Sequence, residues 1–104
     1  MKDFARLLNH PDISFSSIPD AIKVDNPATG EALAFVRKTD SDCLKLLIQK
    51  AETAQKLWAA KTALERADVL WRWYFLIKEN KEDLARIMTM EQGKSLTEAR
   101  GEID

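Results

Sequence analysis

The stretch TALERADVLWRWYFLI, Thr62 to Ile77, decides the reading of this chain. Thr62 with Glu65 three residues later is a capping box, in which the hydroxyl and the carboxylate each satisfy an orphan amide of a first helical turn. From there Ala67, Leu70, Trp71, Tyr74 and Ile77 recur at helical spacing, and Val69, Trp73, Phe75 and Leu76 widen that stripe until little of the circumference is polar. A helix apolar nearly all round is expected to be buried on more than one side.

Working outward, the residues before it form a second amphipathic helix. Thr39 and Asp42 read as its start signal, and Leu44, Leu47, Ile48, Ala51, Ala54 and Trp58 make one stripe between Ser41 and about Ala60. After it, Asn80 with Asp83 opens a third helix carrying Leu84, Ile87 and Met88, which Gly93 ends by supplying a left-handed residue. Ser95 with Glu98 is another capping box, and the helix it starts reaches Asp104 with no Gly, Asn or Pro to stop it. That unclosed helix is expected to be the first piece of a longer structure.

The first forty residues are of another kind. Ile22 and Val24 alternate with polar residues up to Asn26-Pro27-Ala28-Thr29-Gly30, after which Leu33 and Phe35 share one face and Ala34 and Val36 the other. Two short strands about a Pro and Gly turn predict a β-hairpin with a loop longer than the two-residue type. Such a pair is marginal alone and needs a third strand or a helix against it; helices 41–60 and 63–79 are the expected support. Upstream, Phe4, Leu7 and Leu8 suggest a short helical turn, and Pro11 and the Ser16-Ser17-Ile18-Pro19 stretch suggest a loop. The fold class expected is therefore α+β, mainly α, with a short hairpin followed by three amphipathic helices and the start of a fourth. Residues 1–20 form an arm and residues 21–104 the hairpin and helices.

Composition removes several function classes. The 104 residues carry 16 Lys and Arg against 17 Asp and Glu, a formal net charge of -1, so no field favours nucleic acid or an anionic membrane. With 45% hydrophobic and 32% charged residues the chain has the make-up of a folded domain. A single cysteine rules out an internal disulfide. Residues 1–20 lack the apolar core and small-residue cleavage site of a secretory signal, and no apolar run approaches the roughly 18 to 20 residues that span a bilayer. A cytoplasmic location is the expectation.

Candidate chemistry is sparse. Cys43 lies in a first helical turn, but Asp40 and Asp42 beside it oppose thiolate formation, so a structural role outweighs a nucleophilic one. His10, the only histidine, precedes Pro11 in a loop and reads as solvated; one imidazole and one thiol offer no zinc spacing. Gly93-Lys94-Ser95 looks like the end of a phosphate loop, yet the pattern requires Gly at position 88, where Met stands. Glu82 with Asp83 and Glu98 with Glu102 fit helix starts and solvated faces, and Trp58 and Trp71 sit on stripes shared with Leu, Ala and Ile, so packing accounts for them. No catalytic, cofactor-binding or metal-ligating residue is assigned.

Three motifs then carry a likeness that composition cannot. Asn26-Pro27-Ala28-Thr29-Gly30-Glu31, Thr62-Ala63-Leu64-Glu65-Arg66-Ala67, and Met90-Glu91-Gln92-Gly93-Lys94 followed by Glu98-Ala99 stand in the order and spacing seen in aldehyde dehydrogenases. Over residues 21–104 the chain resembles that superfamily, and within it the succinate-semialdehyde dehydrogenases most. The resemblance implies a parent enzyme several times longer, with a Rossmann-like domain binding NAD or NADP, a catalytic domain and an oligomerisation strand. It also implies that a cysteine attacks the aldehyde, hydride passes to the nicotinamide, and a glutamate activates water. The family's nucleophile, glutamate, oxyanion-hole asparagine and dinucleotide-binding residues lie downstream of the matched region, so Cys43 is not the family's catalytic cysteine. The segment is expected to bind no cofactor and to be inactive alone. A second expectation, drawn from the residues, is a self-associating helical module that forms a homo-oligomer through Val69, Trp73, Phe75 and Leu76.

Overall fold

The Asn26-to-Glu31 turn is set by its own side chains. In the computed structural model, which describes residues 6–104, the Asn26 carboxamide accepts from the Ala28 amide at 2.9 Å, and the Asn26 carbonyl accepts from Gly30 at 2.7 Å. Gly30 takes φ 75°, a left-handed conformation that glycine adopts without penalty. The turn joins strands β2 (Ala21–Asp25) and β3 (Ala32–Arg37), which pair antiparallel with Ile22 opposite Val36 and Val24 opposite Ala34.

A third strand completes the sheet. β1 (Ile13–Ser14) pairs antiparallel with β3, Ile13 opposite Val36, giving the order β1-β3-β2 with β3 central. The hairpin thus obtains its third strand from the arm, which the sequence reading left as a loop. Two residues are too short for alternation to register, and Ser14 is held by its own hydroxyl, which accepts from the Ser16 amide and donates to the Ser16 carbonyl. Of the helical turn expected upstream, Phe4 lies outside the described residues, while Arg6 and Leu7 form a turn rather than a helix.

Four helices follow: α1 (Ser41–Ala59), α2 (Ala63–Glu79), α3 (Lys81–Gln92) and α4 (Leu96–Ile103). Their bounds match the sequence reading closely because each start is locally encoded. Two caps differ in detail. The Asp40 carboxylate, not Thr39, caps α1 by accepting from the Cys43 amide at 2.7 Å, in keeping with the strong preference for Asp at that position. Asn80 occupies the N-cap of α3 without capping it, since its side-chain oxygen accepts instead from the Arg6 guanidinium at 2.7 Å.

The chain divides into two compact units. One comprises the described residues through Lys38 together with Ile77–Asp104, and it holds every buried residue among those described: Ala34, Ala85, Ile87 and Ala99. Ala85 of α3 and Ala99 of α4 are both 0% exposed, so the two helices approach through small side chains. The face of the sheet bearing Ala34 and Val36 joins Leu8, Ile13, Val24, Ile87 and Glu91 around a cavity of about 140 Å³. The helix lying against the sheet within this unit is therefore α3. The second unit, Thr39–Leu76, is α1 and most of α2, and neither helix contributes a buried residue.

Candidate functional site

Two of the three sequence motifs meet. Gly93 ends α3 with φ 84°, and its amide donates to the Thr89 carbonyl at 2.9 Å. A Cβ at this position would stand 2.9 Å from the Pro27 Cγ, closer than such atoms approach. The proline of the hairpin turn is thus seated on the glycine of the helix cap, and both motifs read here as packing devices. Nothing in either pattern announces the other across a separation of 66 residues, so the contact was not legible beforehand.

The stretch resembling a phosphate loop is fully committed elsewhere. Lys94 is ion-paired with Glu102, the Ser95 hydroxyl accepts from the Glu98 amide at 3.2 Å, and the Glu98 carboxylate accepts from the Ser95 amide at 3.2 Å. Hydrogen bonds from Ser95, the hydroxyl foremost, hold the Glu98 carboxyl below its ordinary range. With the space above Gly93 filled by Pro27, these residues do not fit a dinucleotide phosphate.

The remaining candidates resolve similarly. Cys43 is exposed on α1. His10 is exposed, its Nδ1 accepting from the Asp12 amide at 3.2 Å. Among the described residues no group of three His, Cys, Asp or Glu could hold a metal. The paired carboxylates are structural: Glu82 accepts both Nε and Nη2 of Arg100 at 2.9 and 2.7 Å, and Asp83 accepts from Arg6 at 2.7 Å. The Arg100 guanidinium accordingly lowers the Glu82 carboxyl, and Glu82 raises Arg100 in return. Asp104 takes Lys78 of α2 at 2.7 Å and Lys81 of α3 at 2.5 Å, and the first of these does most to hold its carboxyl at about 2.

What the chain displays is apolar surface. Among the described residues, all the large hydrophobic side chains that stand exposed, except Ile22, lie on α1 or α2. Trp73 and Phe75 are each 62% exposed and Leu64 81%. Trp71 meets Tyr74 edge-on, with ring centroids 5.5 Å apart, and stacks on Phe75 at 5.9 Å. Beside this cluster a groove of about 440 Å³ is lined by Ala67, Leu70, Trp71 and Tyr74. The all-round apolar helix expected to be buried is thus uncovered among the described residues. None of the helices described is long and apolar enough to cross a membrane.

Comparison with known proteins gives this arrangement a family. The aldehyde dehydrogenase family profile matches residues 14–104. The chain belongs to the aldehyde dehydrogenase family, as its three motifs suggested. It is 52% identical over 82 residues to glutarate-semialdehyde dehydrogenase of Pseudomonas aeruginosa, covering 79% of this chain and 17% of that protein. It is 49% identical over 84 residues to the NADP(+) succinate-semialdehyde dehydrogenase GabD of Escherichia coli, covering 81% of this chain and 17% of that one. The crystal structure of succinate-semialdehyde dehydrogenase from Burkholderia pseudomallei superposes with a TM-score of 0.77 at 47% identity, over 80% of this chain and 17% of that structure. The chain therefore spans about a sixth of the length of the relatives it matches.

Proposed function

We propose that this chain is the N-terminal segment of a cytoplasmic, NAD(P)-dependent aldehyde dehydrogenase that oxidises succinate semialdehyde to succinate, and that the segment carries neither the catalytic nor the dinucleotide-binding residues. Residues 21–104 would form the N-terminal part of the parent's cofactor-binding domain, with residues 1–20 as an arm. One observation carries this reading above the rest: about half the residues are identical to enzymes named for short semialdehydes, over four fifths of the chain and one sixth of theirs. The commitment of Lys94, Ser95 and Gly93 to ion pair, cap and packing supports the absence of a phosphate site here.

The test is a paired assay of nicotinamide reduction with succinate semialdehyde. The 104-residue chain should give no turnover with NAD or NADP. A chimera in which residues 21–104 replace the aligned segment of the E. coli enzyme should retain NADP reduction within about tenfold of the parent. A folded but inactive chimera, or turnover by the chain itself, would contradict the proposal.

A second reading is favoured by the exposure of Val69, Trp73, Phe75 and Leu76. In it the chain is a self-associating helical module without catalytic role, forming a homo-oligomer through this surface.

A further inference from the structure

We propose that α1 and the first three turns of α2, residues 41–73, are a conditionally folded arm, while the sheet with α3 and α4 is a lobe stable without it. The inference concerns the chain's own folding and stands apart from the enzymatic reading, so either can fail alone.

The interactions of the two units differ in kind. In the lobe, beside local pairs such as Lys23 with Asp25 and Arg86 with Glu82, several join residues distant in sequence: Arg6 to Asp83, Arg100 to Glu82, Lys78 and Lys81 to Asp104, and Pro27 on Gly93. The lobe also contains every buried residue among those described. Within residues 41–73 the ion pairs described are Lys45 with Asp42 and Arg72 with Asp68, each inside a single helical turn. Apolar burial supplies most of the stability of helices in proteins, and here neither helix has any buried residue. One groove along this unit is lined by Leu46, Gln49, Lys50, Thr53, Ala54 and Leu57 of α1, another by α2 residues alone.

What remains to hold the segment is intrinsic propensity. Helices of 19 and 17 residues lie near the length at which an isolated helix is marginal in water. The caps at Asp40 and Thr62 help both starts, but Val69, Trp71 and Trp73 are weak helix formers late in the segment. The segment ends at Trp73, ahead of the last turn of α2, where Lys78 pairs with Asp104. A segment that gains order only when its apolar side is covered exchanges hydrogen at rates close to those of a free helix.

Hydrogen exchange of the 104-residue chain, resolved by residue and run at the lowest concentration that gives signal, tests this. Protection factors in β3 and α3 should exceed those of amides 45–59 and 67–73 by at least about tenfold. A smaller ratio overturns the proposal, whether the chain is then monomeric or associated. The variant Ala54→Pro supplies an independent arm, since an interior proline breaks α1. Protection of β3 and α3 should stay within about threefold of the unchanged chain, and a larger fall overturns the proposal.

Discussion

Gly93 does two things at one position. Its φ of 84° ends α3, and its bare Cα leaves room for Pro27, whose Cγ would lie 2.9 Å from any added Cβ. Either demand alone selects glycine. Together they predict that Gly93→Ala destabilises the fold by about 1–3 kcal/mol, combining left-handed strain with a contact to a ring that cannot bend away. Pro27→Ala in the same background should recover part of that loss, leaving the strain, so urea denaturation of the two single variants and the double should be less than additive. Full additivity would show that Pro27 and Gly93 do not bear on one another. Position 93 was legible in sequence as a helix end, because a cap is written within a few neighbouring residues. The proline above it was not, because nothing local encodes a partner 66 residues away.

At the scale of elements, the caps explain why the helices were legible almost to the residue. Thr62 with Glu65 and Ser95 with Glu98 close reciprocal bonds as their spacing requires, and hydrogen bonds from Thr62, the amide foremost, lower the Glu65 carboxyl. The two-residue β1 was missed because a strand so short shows no period, whereas Asn80 does stand at the N-cap of α3 although Arg6 claims its side-chain oxygen. The last helix is held from outside by acids and bases of α2 and α3, and this has a pH consequence. The Asp104 carboxyl stands at about 2 against an ordinary 3.8, lowered by hydrogen bonds from Lys78 and then Lys81. A depressed carboxyl contributes stability that is fully present above the ordinary value and is lost as pH falls through the folded one. Protection of α4 amides should therefore be level above about pH 5, fall between about pH 4 and pH 2, and depend on salt, since these groups are exposed. Asp104→Asn should remove much of that dependence; an unchanged profile would mean that the lysine pairs contribute nothing to holding α4.

For the whole molecule, the sequence was read correctly for composition of surface and incorrectly for burial. Helical periodicity identifies an apolar stripe, but it does not name what covers it, and the stripes of α1 and α2 contain no buried residue. Nor does periodicity reveal that Ile87 of α3 meets Ala34 and Val36 of the sheet. An uncovered aromatic cluster of Trp71, Tyr74 and Phe75 should make the chain associate as its concentration rises. Replacing Trp73 and Phe75 together by Glu should shift light scattering toward the mass of one chain, because charge on that face opposes its burial. Association unaffected by the double change would place the contact elsewhere.

The family assignment joins these scales: motif residues that pack and cap, helices with exact starts, and a molecule one sixth the length of its relatives with its apolar side open. The proposed function makes residues 21–104 an interchangeable structural segment of a semialdehyde dehydrogenase. The most direct measurement is nicotinamide reduction by the E. coli succinate-semialdehyde dehydrogenase carrying this segment in place of its own. Activity within about tenfold of the parent is the predicted result, and a folded chimera without activity would contradict the account.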